Sequence, residues 1–341
     1  MKLERLDEIL ARFRTLTICV FGDFSLDRYL DLECAEAAPD NVADGPTYQV
    51  SQARSEPGGG GKLVANLCAL GVGAVRVTSC IGVDGEGFEL AHTLARIGAE
   101  TSALLESSQM HTPTRFHVFF RPPDGPPKML HRLEMRNRSP LAAETEQELL
   151  RELRAALADA GAVLVVDEAP VANCGIVTDR IRRELCDLAA AHPEVIFFGH
   201  SALRTTAFQN MVTMPSLKTA AEALNLSPED AVKPTEVAQR LYQHMTAPVY
   251  LFLGTQGTVL ADDGGARQLP SYPGEAQGEV TFAYDAAVAI LLAALSAGAA
   301  PDEAGLMANL AFSVAIEEVG VLTPPTPRQL RKRLEAHLGA K

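Results

Sequence analysis

The chain has 341 residues, of which 47% are hydrophobic and 21% are charged, and it contains 26 glycines. A chain of this length and composition can bury a sizeable core, which excludes disorder as its main state. Its 43 acidic and 30 basic residues leave a formal net charge of −13, so nucleic acids and anionic membrane surfaces are poor partners for it.

Short apolar segments alternate with helical patterns along the chain. The first ten residues carry charges throughout and predict an amphipathic helix, not a signal peptide. Predicted strands cover residues 17–21, 75–81, 162–166, 195–198, 211–213 and 249–253, and predicted helices cover residues 64–70, 87–97, 144–158 and 174–190. This alternation is typical of an α/β fold with a doubly wound, mostly parallel sheet. The apolar residues 286–300 are shorter than the roughly 20 residues of a membrane span and predict a buried helix.

Two segments interrupt the alternation. Residues 29–54 are extended, acidic and broken by proline, and residues 114–134 alternate as two strands around a turn at residues 122–127. We interpret both as insertions that form a small β-strand lid on a single domain spanning residues 1–341. Ligands of open α/β sheets bind at the carboxyl ends of the strands, so an insertion after the first strand lies where a ligand is expected.

The cysteines and basic residues give no sign of a metal site or an anion-binding surface. No C-x-x-C pair occurs, which argues against zinc and against a disulfide framework and favours a reducing compartment, the cytoplasm. The six cysteines are Cys19, Cys34, Cys68, Cys80, Cys174 and Cys186. A basic cluster near the C-terminal end of the last predicted helix is interpreted as a solvated face that complements the helix dipole, and it comprises Arg328, Arg331, Lys332 and Arg333.

A run of four glycines at residues 58–61 precedes Lys62. A P-loop would need glycine at Glu56 and a hydroxyl at Leu63, and no G-x-G-x-x-G follows the first strand. Two interpretations stay open. The run is either a flexible turn before a helix, or a place where backbone amides approach a ligand at the start of that helix.

Several motifs follow one another in a characteristic order. Residues 22–29 read Gly-Asp-Phe-Ser-Leu-Asp-Arg-Tyr at the close of the first strand, residues 57–59 read Pro-Gly-Gly before a helix, and residues 82–87 read Gly-Val-Asp-Gly-Glu-Gly. In order and spacing they resemble the ribokinase/PfkB carbohydrate kinase family and, within it, the bacterial heptose-phosphate kinase (RfaE-type) branch. The resemblance covers about residues 15–335 and implies a ribokinase-like fold.

The resemblance also implies a chemistry and a set of site residues. Kinases of this family transfer the γ-phosphoryl group of ATP, with magnesium, to a sugar hydroxyl. By position, Asp285 matches the catalytic base, although its place before an apolar helix is, taken alone, more typical of an N-cap or first-turn acid. The sugar or sugar phosphate would contact Asp27, Gly58, Gly59 and Lys62, and the nucleotide would contact Gly254, Gly257, Ala283 and Asn309. No metal-ligating residue is assigned.

The departures from the family concentrate on phosphate handling. The family's Gly-Ala-Gly-Asp is Phe282-Ala283-Tyr284-Asp285, its Asn-x-x-Glu is residues 216–219 with Ser216 and Thr219 at the two ends, and its sugar-binding Asn is Lys62. We therefore expect phosphoryl transfer to be weak or lost. Three functions remain: a sugar kinase with a rebuilt phosphate site, a non-catalytic sugar- or nucleotide-binding relative, and an interaction subunit whose pocket is filled by the two aromatic residues.

The resemblance predicts a homodimer as well, because family members often dimerise through their lids. Apolar residues on the predicted lid offer a contact face, although they also suit packing within one chain. They are Val42, Tyr48, Val50, Phe116, Val118 and Phe120.

Overall fold

The computed structural model describes residues 1–33, 48–122, 124–227, 233–274, 278, 280–318 and 323–339. The middle of the first predicted lid insertion, with Cys34 and Val42, lies outside these residues. The five cysteines inside them are free thiols, and a reducing compartment stays a prediction.

Five parallel strands form the central sheet. They are β1 (Thr17–Gly22), β4 (Ala74–Gly82), β5 (Glu100–Ser107), β8 (Ala162–Val166) and β9 (Ile196–His200). Their spatial order is β5-β4-β1-β8-β9, so the predicted parallel sheet is confirmed. The predicted strand at residues 211–213 is wrong as a regular strand, since this segment joins its neighbours through single bridges, Phe198 to Val212 and Thr213 to Val249.

Helices cover both faces of this sheet because its strands are apolar on both sides. In β1, Ile18 and Val20 point into one core while Cys19 and Phe21 point into the other. The first core is closed by α1 (Leu3–Arg12), α2 (Gly60–Ala69), α3 (Gly85–Arg96), α8 (Val280–Ser296), α9 (Pro301–Ala315) and α10 (Pro327–Gly339). The second is closed by α4 (Ala143–Ala156), α5 (Asp179–Ala191), α6 (Leu217–Ala223) and α7 (Pro234–Met245). The doubly wound architecture is thus confirmed.

Two antiparallel or mixed sheets flank this arrangement. The strands β10 (Val249–Phe252), β11 (Thr258–Asp262) and β12 (Gly265–Leu269) form one of them. The other is the lid, formed by β2 (Phe24–Leu32), β3 (Val50–Gly59), β6 (Thr114–Phe120) and β7 (Lys128–Met135). Its order is β3-β2-β6-β7, and β2 starts two residues after β1, so the lid begins earlier than predicted.

Several helix boundaries differ from the prediction. The helix predicted at residues 174–190 begins at Asp179, because the Thr178 hydroxyl caps it by accepting the Ile181 N–H at 3.2 Å. The predicted buried helix is α8, which starts earlier, at Val280. Among the described residues, no helix has the length and apolar character needed to cross a membrane.

The basic cluster lies at the opposite end of its helix from the predicted one. Because α10 begins at Pro327, Arg328 and the three other basic residues fall in its first two turns. The prediction that they complement the dipole at the C-terminus is therefore wrong. Ion pairs account for two of them instead, since Arg331 pairs with Asp7 and Arg333 pairs with Glu317.

Candidate active site

The sugar-side acid lies in the lid and not on the central sheet. Asp27 is the fourth residue of β2, and its side chain is only 1% exposed. The prediction that it closes the first strand is wrong, because β1 ends at Gly22. The Lys62 Nζ, on the first turn of α2, lies 2.9 Å from Asp27 Oδ2, so the structure brings these two predicted residues together.

Two further charged residues that sequence reasoning missed join this pair. Arg115 on β6 is in register with Asp27 on the parallel strand β2, so both side chains share one face of the lid. Its Nη1 lies 3.6 Å from Asp27 Oδ1, and its Nη2 donates to Glu168 Oε2 at 2.9 Å. Glu168 follows the carboxyl end of β8, where a ligand-contacting acid is expected in an open sheet. That position was the signal available in the sequence.

Asp285 faces the same cluster from the central domain. It is the sixth residue of α8 and is buried, so its interpretation as an N-cap or first-turn acid is wrong. Burial raises the pKa of this carboxyl to about 7; nearby Lys62 opposes the rise and Glu168 adds to it. A carboxyl that titrates near neutrality is suited to exchange a proton with a substrate hydroxyl.

The two glycines before α2 make room for these groups. A Cβ on Gly58 would lie 2.4 Å from Ser25 Oγ and 2.8 Å from Asp27 Oδ1, so only glycine lets the acid occupy its position. Gly59 has a φ of +55°, and a Cβ there would lie 2.7 Å from the Asp23 carbonyl oxygen. Glycine is the residue that tolerates this backbone conformation.

Unpartnered polar atoms mark the space beside these glycines. Ser25 Oγ and Asp27 Oδ1 are buried and have no hydrogen-bond partner in the described part of the chain. A cavity of about 120 Å³ adjoins Ser25, with Gly59, Arg115 and Glu168 also in its wall. Since buried polar groups are normally hydrogen-bonded, a ligand with hydroxyl groups fits this arrangement.

Asp84, the acid of the motif at residues 82–87, has a structural role. Asp84 caps α3 by accepting the Gly87 N–H at 2.7 Å, and it also accepts both the N–H and the hydroxyl of Thr112, at 2.9 and 2.7 Å. Because Thr112 lies two residues before β6, Asp84 ties the start of α3 to the strand that carries Arg115. Its carboxylate is thus occupied within the fold.

The phosphate-handling end is filled by an aromatic side chain. The Tyr284 hydroxyl donates to the Met214 carbonyl, and its ring centroid lies 5.7 Å from that of His200 and 5.1 Å from that of Phe252. Because α8 begins at Val280, the Tyr284 N–H falls in the second turn, where helical geometry directs it to a backbone carbonyl. The neighbouring Phe282 ring lies 5.0 Å from Lys62 Nζ.

The segment in place of Asn-x-x-Glu has become a helix cap. Ser216 Oγ accepts the Thr219 N–H at 3.1 Å, and the two hydroxyls lie 2.9 Å apart. A serine at an N-cap is a common way to begin a helix, and α6 follows directly. These hydroxyls are therefore engaged with each other.

The predicted nucleotide residues lie at two places. Ala283 is buried in the first turn of α8, whereas Gly254 and Asn309 line a separate pocket of about 240 Å³ that Ala283 does not line. The Asn309 amide is used within the protein, since its oxygen accepts from Thr258 Oγ1 at 2.6 Å and its nitrogen donates to the Pro270 carbonyl at 2.9 Å.

Gly257 and Gly254 shape the turn after β10. Gly254 begins a 3₁₀ turn between β10 and β11 and has a φ of +61°, and Gly257 follows that turn and has a φ of +93°. A Cβ on Gly257 would lie 2.5 Å from the Leu269 carbonyl oxygen. The backbone alone therefore requires glycine at this position, whether or not a nucleotide binds.

The lid sheet begins directly after β1, and it brings the buried Asp27 to the side of the doubly wound sheet where the buried Asp285 lies. A family model described as pfkB family carbohydrate kinase matches residues 16–328. The chain belongs to this family, and the resemblance found in its motifs is confirmed.

The relatives agree with this assignment. The chain is 28% identical over 334 residues to the bifunctional protein HldE of Bradyrhizobium sp. (strain ORS 278). The matched region covers 97% of this chain and 66% of that protein. It thus spans just under two thirds of the length of this relative.

Solved structures confirm the ribokinase-like fold. A structure of the tetrameric inhibited form of phosphofructokinase-2 from Escherichia coli has a TM-score of 0.71 at 19% identity and covers 95% of this chain and 99% of that one. Ribokinase from Arabidopsis thaliana, in complex with ribose and ATP, has a TM-score of 0.68 at 16% identity and covers 94% of this chain and 99% of that one.

Proposed function

We propose that this chain binds a sugar phosphate on the Asp27 side of the site and that phosphoryl transfer from ATP is weak or lost. The support for a phosphate group is that two basic side chains, Lys62 and Arg115, lie beside the Asp27 carboxylate and carry N–H donors that a phosphate can share. Sugar hydroxyls would satisfy Ser25 Oγ and Asp27 Oδ1, which are buried and accept or donate no hydrogen bond in the described residues. A phosphate group would then take Lys62 as its own partner in a charge-assisted hydrogen bond.

The position of Tyr284 is the observation that carries the loss of transfer. Phosphoryl transfer depends on positioning and on donors aimed at the phosphoryl oxygens. Here the ring occupies the space between the carboxyl ends of β9 and β10, and its hydroxyl is held by Met214. A backbone N–H in the first turn of a helix is free to bind an anion. The N–H of Tyr284 lies in the second turn of α8, where a backbone carbonyl of the helix accepts it.

Kinases of this family use ATP and magnesium, and the residues here do not fit the metal. Magnesium prefers carboxylate oxygens, whereas the matching positions are the mutually bonded hydroxyls of Ser216 and Thr219. Nucleotide binding is a separate proposal, supported by the pocket beside Gly254.

One observation favours the second candidate, an active sugar kinase. Asp285 is buried beside Lys62, and its pKa of about 7 is that of a useful general base at neutral pH. In such an enzyme, Asp285 would accept the proton of the sugar hydroxyl while Asp27 and Arg115 orient the sugar. Phosphate donors different from those of the family would then have to complete the site.

Calorimetry separates the two halves of the proposal. Purified protein is titrated with glucose 6-phosphate, ribose 5-phosphate and a heptose phosphate, and with the corresponding free sugars. We expect at least one phosphate to bind more tightly than its free sugar. Equal affinity for each pair would contradict the anionic-sugar proposal, and an ordered triphosphate with magnesium beside Asp285 in a crystal soaked with an ATP analogue would contradict the loss of transfer.

We also propose a homodimer formed through the lid. The outer strands of the lid sheet, β3 and β7, carry the exposed apolar side chains of Val50, Met129 and Leu133. Phe116, next to Leu133 in the sheet register, is half-buried. Unpaired strand edges with apolar side chains favour association.

A further inference from the structure

One carboxylate joins the base of the lid to the segment that follows β8. Asp23 lies between β1 and β2, and its side chain accepts three backbone hydrogen bonds. Oδ2 accepts the N–H groups of Glu168 and Ala169, each at 2.8 Å, and Oδ1 accepts the N–H of Ile176 at 2.7 Å. A single side chain therefore holds both ends of residues 168–176.

The backbone of Asp23 is anchored equally well. Its N–H donates to the Val166 carbonyl at 2.8 Å, and its carbonyl accepts the N–H of Gly60 at 2.9 Å. These bonds fix it to the end of β8 and to the first residue of α2. The carboxylate consequently has a rigid base from which to hold a segment that contains no helix or strand.

Residues 168–176 contribute directly to the sugar side of the site. Glu168 at one end holds Arg115 at 2.9 Å, while Cys174 and Ile176 at the other end line the 120 Å³ cavity. Close packing leaves little freedom around the carboxylate, since a Cβ on Gly175 would lie 2.6 Å from Asp23 Oδ1.

We propose that Asp23 is a positioning residue for the sugar side: its carboxylate fixes residues 168–176 and thereby places Glu168 and Arg115 beside Asp27. Backbone N–H groups without a partner are costly when buried, and bonds to a charged acceptor are about twice as strong as neutral ones. Loss of the carboxylate frees three N–H groups at once, so the segment moves and Glu168 no longer holds Arg115. The consequence for ligand binding rests on the proposed function, whereas the consequence for the segment does not.

Hydrogen exchange followed by mass spectrometry tests the segment on the full chain. In Asp23→Ala, exchange at residues 168, 169 and 176 should rise about tenfold or more, while exchange in α7 stays unchanged. Asp23→Asn keeps one acceptor oxygen, so exchange should rise at one end of the segment. The matched control Asp262→Asn removes a carboxylate that accepts the Gly264 N–H on the distant sheet, and it should leave the segment as in the wild type. Unchanged exchange at all three amides in both folded Asp23 variants would overturn the proposal.

A double-mutant cycle tests whether Asp23 acts through Glu168. The probe is the sugar phosphate that the wild type binds most tightly among the three titrated above. Asp23→Ala and Glu168→Gln should each lower the affinity for this sugar phosphate by some factor. The double variant should lower the affinity by less than the product of those two factors. A full product would show that Asp23 does not act through Glu168 and would contradict the positioning role. If the wild type binds none of the probes, the proposed function fails, and hydrogen exchange alone decides whether Asp23 holds the segment.

Discussion

The buried carboxyl of Asp285 makes the stability of this protein depend on pH in a direction that can be measured. Burial raises its pKa from 3.8 to about 7, while Lys62 opposes the rise and Glu168 adds to it. A group whose pKa is raised on folding contributes stability that is fully present below its unfolded pKa and is lost as the pH rises through its folded pKa. The wild type therefore loses stability through Asp285 between about pH 4 and pH 7, and the loss is constant above that range.

The variant Asp285→Asn removes this ionisation while keeping the shape of the side chain. Each pH unit between the two pKa values corresponds to about 1.36 kcal/mol. The free energy of unfolding of the variant should therefore exceed that of the wild type by about 2 kcal/mol at pH 5 and by about 4 kcal/mol at pH 8.

Urea unfolding followed by circular dichroism at the two pH values measures both differences. The control is Asp262→Asn, because a hydrogen bond from Arg267 lowers the pKa of the Asp262 carboxyl. Removing that carboxyl should lower stability at both pH values, which is the opposite sign. A gain for Asp285→Asn that is the same at pH 5 and pH 8, or larger at pH 5, would refute the reasoning about the buried acid.

Three further predictions concern the sugar side and the lid. Asp27→Ala should weaken sugar phosphate binding by about 1.5–3 kcal/mol, the range of a hydrogen bond to a charged group, and calorimetry showing wild-type affinity would remove Asp27 from the site. Lys62→Asn should weaken the binding of a sugar phosphate by a similar amount but leave the binding of the matching free sugar unchanged. An equal loss of affinity for both ligands would contradict the proposal that Lys62 binds the phosphate group. Light scattering at micromolar concentration should give about twice the chain mass of 36.4 kDa, and Leu133→Lys should shift the mass toward the monomer, whereas a wild-type monomer would contradict the lid dimer.

The α/β fold could be predicted from the sequence because strands and helices leave local patterns in it. Apolar, β-branched runs bounded by glycine, proline or aspartate recur between helical patterns, and each run became a strand of the central or the flanking sheet, except residues 211–213. The end of α8 was predicted wrongly, at residue 300, although a local signal was present: the helix ends at Ser296, and Gly298 adopts a φ of +78°, the usual conformation after a helix C-terminus.

The charged cluster of the site could not be predicted from the sequence, because it depends on strand register and on contacts between distant parts of the chain. Arg115 meets Asp27 because β2 and β6 pair in parallel with one particular register, and a shift by one residue would place it on the other face of the lid. Glu168 reaches Arg115 across 53 positions of sequence. Motif order could place Asp285 and Lys62 in one site, but not show that the acid lies in the second turn of its helix.

The most direct test of the central claim is the release of ADP by purified protein with ATP and magnesium, measured on common hexoses, pentoses and heptose phosphates. Because the backbone amide of Tyr284 is taken up in α8 and the Ser216 and Thr219 hydroxyls bond to each other, turnover should be far below the roughly 1–100 s⁻¹ of kinases in general. We expect ADP release no faster than in a control reaction that contains no protein. Turnover of several per second on any one sugar, abolished by Asp285→Asn, would contradict it and would make this chain an active kinase.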